Sequence, residues 1–196
     1  KWIFEEMGDL KTFSERKYKV RPFVFEAGKN DKEIYYIKVS GSLTRINLSF
    51  LTKEKMLTFE GEDSVKLSLF FGIVLAMVLY NSFIFFSTKS LSYFYYVFYI
   101  FFYGLFHGGF KGVTQKYFLT ESVWMSNNGI VFFGNLASVS LCLFTISYLN
   151  LQKTTKWTYR IFILTMTISL ILAVLTFFVP YRVSLMLFMI DTLLIS

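Results

Sequence analysis

Residues 65–86, VKLSLFFGIVLAMVLYNSFIFF, carry no charge after Lys66. A helix of about twenty residues, rising 1.5 Å each, crosses a hydrocarbon core of about 30 Å. A soluble core helix of that length keeps a polar face, and this stretch has none. Ahead of it lies a charged region with alternating, strand-like runs. Behind it almost every segment is apolar. The pattern predicts a water-facing N-terminal piece over residues 1–63 and a membrane part over residues 64–196.

Three runs in the first piece read as strands. Residues 18–26 (YKVRPFVFE) alternate in part, with Pro22 at an edge or bulge. Residues 33–40 (EIYYIKVS) are β-branched and aromatic, and residues 43–50 (LTRINLSF) alternate polar with apolar. Turns are predicted at residues 28–31 and 40–42. Three strands cannot form two packed sheets, so the expectation is the last strands of a β-sandwich whose earlier strands precede Lys1. Residues 51–59 predict a short amphipathic helix, and residues 60–63 (EGED) a linker whose acids suit a helix start.

Apolar length then predicts spans at 65–86, 91–107, 128–149 and 157–179, the last ended by Pro180. A fifth, over 183–196, is too short to cross and reads as truncated. The expected fold is therefore a membrane all-α helical bundle of four full spans and a truncated fifth, preceded by the C-terminal strands of an extracellular β-sandwich. With no initiator Met and an apolar run at its end, the chain reads as part of something longer.

Charge sharpens the division. Residues 1–63 hold 12 of the 20 Lys and Arg and 11 of the 13 Asp and Glu, while the remainder has only Glu121 and Asp191 as acids. The net +7 therefore belongs mostly to the membrane part, where loop cations meet lipid headgroups. No basic stripe interleaved with aromatics marks a nucleic-acid partner. With the N-terminus outside, Lys89, Lys153 and Lys156, with nearby Arg160, lie on the inner side. Lys111, Lys116 and Arg182 lie on the outer side.

Small residues recur at a spacing of four in three spans: Ser68-Gly72-Ala76, Gly134-Ser138-Cys142 and Thr165-Ser169-Ala173. Each row occupies one helix face and lets a neighbouring backbone approach. Cys142 reads as a small packing residue, and Asn81 as an interhelical hydrogen-bonding one. Tyr96, Tyr99, Tyr103 and His107 share one face of the second span. They line a ligand cavity or proton path, or they simply bond neighbouring helices and the interface. Asp191 is costly in lipid, so by default it faces the bundle. No phosphate loop, HExxH or Ser/His/Asp set is present, so no catalytic residue, metal or cofactor is predicted.

Residues 70–118 resemble the bacterial seven-transmembrane receptors with diverse intracellular signalling modules. The resemblance rests on Gly72, Tyr80-Asn81, a short polar loop, Tyr93, Tyr95-Tyr96, and Gly112 with Gln115 and Tyr117. Residues 33–50 resemble the end of the jelly-roll-like sensory domain, akin to carbohydrate-binding modules, that often precedes such bundles. The resemblance implies a location in the bacterial cytoplasmic membrane, an N-terminus outside and a cytoplasmic signalling domain in cis. The expected ligand is an extracytoplasmic small molecule or carbohydrate, and the expected partners are the lipid bilayer and a second copy of the chain. The alternative function class is a polytopic transporter or channel subunit, which would favour broken helices and mid-membrane charges. A membrane enzyme is disfavoured by the lack of paired carboxylates or His clusters.

Overall fold

The computed structural model describes residues 4–8, 11–28, 34–39, 48–117 and 122–195. Among the described residues, a 3₁₀ turn at Phe13–Glu15 is followed by seven helices: α1 Lys53–Thr88, α2 Leu91–Phe110, α3 Val113–Tyr117, α4 Val123–Tyr148, α5 Leu151–Thr154, α6 Lys156–Leu175 and α7 Tyr181–Ile195.

The predicted β-sandwich strands are not found among the described residues, which contain no strand. Residues 18–26 and 34–39 are irregular, and so is 48–50 at the end of the third run. The rest of that run lies outside the described residues. Ile34, Tyr36, Ile37 and Val39 are all exposed, so neither face of the second run is covered. Alternation becomes a sheet only when a neighbouring ladder takes up the backbone donors and acceptors. No described segment supplies one.

The linker expected at residues 60–63 is also absent, because α1 runs through it. Thr52 caps the helix by accepting from the Lys55 amide at 3.4 Å, and Glu54 sits in the first turn. Gly61 costs about 1 kcal/mol against Ala but breaks nothing, and no proline intervenes. At 1.5 Å per residue the 36-residue helix is about 54 Å long. The bilayer needs about 20 residues of it, so its first turns, through Ser64, stand proud as a stalk.

Among the described residues, three helical stretches are long and apolar enough to cross a membrane: Lys53–Thr88, Asn127–Tyr148 and Lys156–Leu175. The second expected span, α2, is not among them. Its 20 residues suffice in length, but Tyr93, Tyr95, Tyr96, Tyr99, Tyr103, His107 and three glycines dilute its apolar character. α7 is a 15-residue helix.

α4 is the axis. It packs on α2, α6 and α7, while α1 packs on α2. The core at its centre is Val131 against Leu185 and Phe188 of α7, closed by Phe106 and Tyr181. Between α1 and α2, Lys89 takes a left-handed conformation (φ 56°) and its amide reaches the Phe85 carbonyl at 2.7 Å. That turn is what places α1 and α2 antiparallel with so short a loop.

Candidate functional site

Two polar clusters stand out, one at the mouth of the bundle and one inside it. The first begins with residues 13–23, which form a strap. Arg16 is its keystone. Its guanidinium lies over the rings of Phe13 and Phe23, 4.9 and 4.5 Å from their centroids. Nη1 donates to the Arg21 carbonyl at 2.9 Å, closing the strap on itself. Nη2 donates to Gln115 Oε1 at 2.8 Å, tying the strap to α3.

Arg21 makes the second tie. Its guanidinium forks onto Glu60, Nε to Oε1 at 3.1 Å and Nη2 to Oε2 at 3.2 Å. Nη2 also lies 3.0 Å from Asp63 Oδ2. The Arg21 side chain is only 7% exposed and that of Glu60 13%. Burial alone would lower the Arg21 pKa, but the Glu60 hydrogen bonds and charge, with Asp63, outweigh it and raise it. Glu60 Oε1 is shared: Lys116 Nζ approaches it at 3.4 Å. A bidentate guanidinium–carboxylate pair fixes geometry more firmly than a point charge does. The strap meets the α2–α3 corner at Gly112, which has φ +67° and whose nearest outside neighbour is the Arg21 side chain.

The second cluster lies between α4, α6 and α7. Ser169 Oγ donates to Asp191 Oδ2 at 2.5 Å. Both residues are buried, Asp191 to 1% exposure. Asp191 Oδ1, Asn135 Oδ1 and Ser184 Oγ are buried without a hydrogen-bond partner among the described residues. Cys142, also buried, lies within electrostatic reach of Asp191.

The predicted site residues fall in different places. Asp191 and Ser169, singled out separately, are brought together. Tyr96, Tyr99, Tyr103 and His107 form a continuous ladder of rings with centroids 5.9–6.4 Å apart. The ladder also packs on Phe144 at Tyr96 and on Phe70 at His107. Asn81 donates to Met77 within its own helix, at 2.8 Å, rather than across to a neighbour. Thr165, Ser169 and Ala173 are buried, as are Gly134, Ser138 and Cys142. Ser68, Gly72 and Ala76 are exposed, and nothing lies within 4 Å of a Cβ built on Gly72. The face of α1 turned inward is instead the bulky one, with Phe71 and Val74 reaching Gly108 and Gly104 of α2.

Sequence reasoning passed over Arg16, Arg21 and Glu60. Their partners are 39 to 99 residues away, beyond any local pattern. The available signal was the acidic run at 60–63, just ahead of the first span, with the cations Lys111 and Lys116 following the second.

A family model described as 7TM diverse intracellular signalling matches residues 64–196. The chain belongs to that family. No curated protein matches it, and no solved structure does. Membership makes it a multi-pass membrane protein of a signal-transduction class, and its described helices include three that are long and apolar enough to cross a membrane. The match begins at Ser64. Arg16, Arg21, Glu60 and Asp63 therefore precede the family segment, and Gln115 and Lys116 lie within it.

Proposed function

We propose that this chain is the membrane portion of a bacterial receptor in the cytoplasmic membrane, with its N-terminus outside. It responds to an extracytoplasmic ligand and relays the change to a cytoplasmic signalling domain in cis. One observation carries this proposal beyond family membership: the segment ahead of the bundle is bolted by partly buried ion pairs to the helix that enters the membrane. A receptor needs such a mechanical connection between its input and its bundle. A ligand then acts only as far as it binds one arrangement of that connection better than the other. The carbohydrate class rested on the β-sandwich, so the proposal now specifies a ligand without that class. The loop charge count supports that orientation, with Lys89, Lys153, Lys156 and Arg160 on the inner side and Lys111, Lys116 and Arg182 on the outer. Transport has only Asp191 in its favour, and that side chain is enclosed by packed helices.

Single cysteines at Thr58 and at Thr154, each in a Cys142→Ala background, test the orientation. Both positions are exposed. On cells with a permeabilised outer envelope, an impermeant maleimide should label Thr58→Cys and spare Thr154→Cys. Labelling of Thr154→Cys alone would invert the topology and remove the receptor proposal.

A further inference from the structure

We infer that Glu60 is a coupling node: through its shared carboxylate, a displacement of the strap reaches α1 and the α2–α3 corner together. The inference rests on the receptor proposal for its meaning but not for its geometry. Three elements meet at this one side chain. Arg21 of the strap forks onto both Glu60 oxygens, and Lys116 of α3 reaches Oε1. Glu60 itself rides on the stalk of α1, about one turn ahead of the membrane-crossing segment. Asp63, the other acid within reach of Arg21, joins the strap to α1 only. The two acids are thus close in sequence and in chemistry, yet they differ in what they connect. Arg16 adds an independent tie from the strap to α3 through Gln115, with no part in α1.

The consequence is mechanical. Beyond its stalk α1 packs on α2 and leaves most of its remaining surface exposed. It can shift against α2 if its outer end is released, and continuous helix carries that shift into the bilayer. With Glu60 ionised and paired, the strap, the stalk and the corner move as one body. Pulling Arg21 away leaves Glu60 held by Lys116 alone, and the stalk then answers to the strap only indirectly, through the corner and the Arg16–Gln115 tie.

Spin-label distance measurements on the full chain in lipid nanodiscs test this, in a Cys142→Ala background. One label pair, Glu15→Cys with Thr58→Cys, reads strap to stalk. A second, Thr58→Cys with Lys111→Cys, reads stalk to corner. A third, Thr88→Cys with Gln152→Cys, sits at the far end of the bundle as a control. Glu60→Gln should cost the stalk–corner pair its single narrow distance and widen the strap–stalk pair, leaving the control narrow. Asp63→Asn removes one negative charge just as Glu60→Gln does, but should widen only the strap–stalk pair. If Glu60→Gln does not yield folded protein, Arg21→Lys, which keeps the charge and loses the fork, should widen the strap–stalk pair alone. The inference is overturned if Glu60→Gln and Asp63→Asn act alike on the stalk–corner pair, or if Glu60→Gln widens all three pairs equally. The Thr58 and Thr154 labelling reports sidedness alone, so an inverted topology and an inert node are separate results.

Discussion

α1 and α4 carry the same signature in sequence and live in opposite surroundings. Each is a long apolar helix with small residues four apart. In the apolar window of α4, 39% of residues are buried inside the protein, against 6% in that of α1. A Cβ added at Gly134 of α4 would lie 2.7 Å from the Phe188 ring and 3.0 Å from that of Phe106, whereas one added at Gly72 of α1 would meet open space. Small-residue spacing states that a backbone can come close. It does not state which neighbour brings the bulk. In α4 the neighbours supply Phe188 and Phe106. Between α1 and α2 the roles are reversed: α1 supplies Phe71 and Val74, and the glycines Gly104 and Gly108 of α2 receive them. α4 is therefore locked on several sides, while α1 is fastened along α2 and at its outer end.

The difference can be broken most severely at Phe188. Phe188→Ala removes the ring that fills the hollow at Gly134 and should cost about 3 kcal/mol of stability, read as a fall in melting temperature in detergent. An unchanged melt would mean that α7 is not a fixed part of the α4 packing. Ser169→Ala should cost less, about 1 kcal/mol, because it removes the one hydrogen bond shown to Asp191 and leaves a buried carboxyl group behind. The smallest effect belongs to the strap's outer edge. The Lys17 pKa is raised above its ordinary value chiefly by the hydrogen bond to Glu26, with burial opposing and the Glu26 and Glu5 charges adding to the rise. The folded pKa therefore exceeds the unfolded one. This contribution is fully present below the unfolded Lys value of about 10.4 and is lost as pH rises through the folded one. Strap ordering, followed by the mobility of a spin label at Glu15→Cys in a Cys142→Ala background, should be flat up to about pH 10 and loosen above it.

The helices were legible because a charge-free run of about twenty residues has few other uses than to cross a bilayer. α1, α4 and α6 follow from such runs, and Pro180 lies just beyond the turn that ends α6. The strands were not legible. Residues 34–39 have the composition of a strand, but a strand is a property of a pair, and no described partner lies beside them. The stalk was hidden by treating Gly61 among acids as a break, where the cost of one glycine is smaller than the gain from continuing a long helix. Asp191 and Ser169 were each conspicuous as polar groups in apolar helices, but their meeting depended on how α7 folds back on α6. The Arg21–Glu60–Lys116 cluster is the least legible of all, since it joins three segments that only the folded chain brings together.

The contrast between the two glycines can be measured directly. Gly134→Leu and Gly72→Leu add the same side chain to helices of the same kind, and their thermal melts in one detergent can be compared side by side. Gly134→Leu should lower stability by about 2 kcal/mol through forced displacement of the Phe188 and Phe106 rings, and Gly72→Leu should leave the melt where it was. Equal losses in the two variants, or a larger loss at Gly72, would show that α1 is packed on its small-residue face and does not leave that face open.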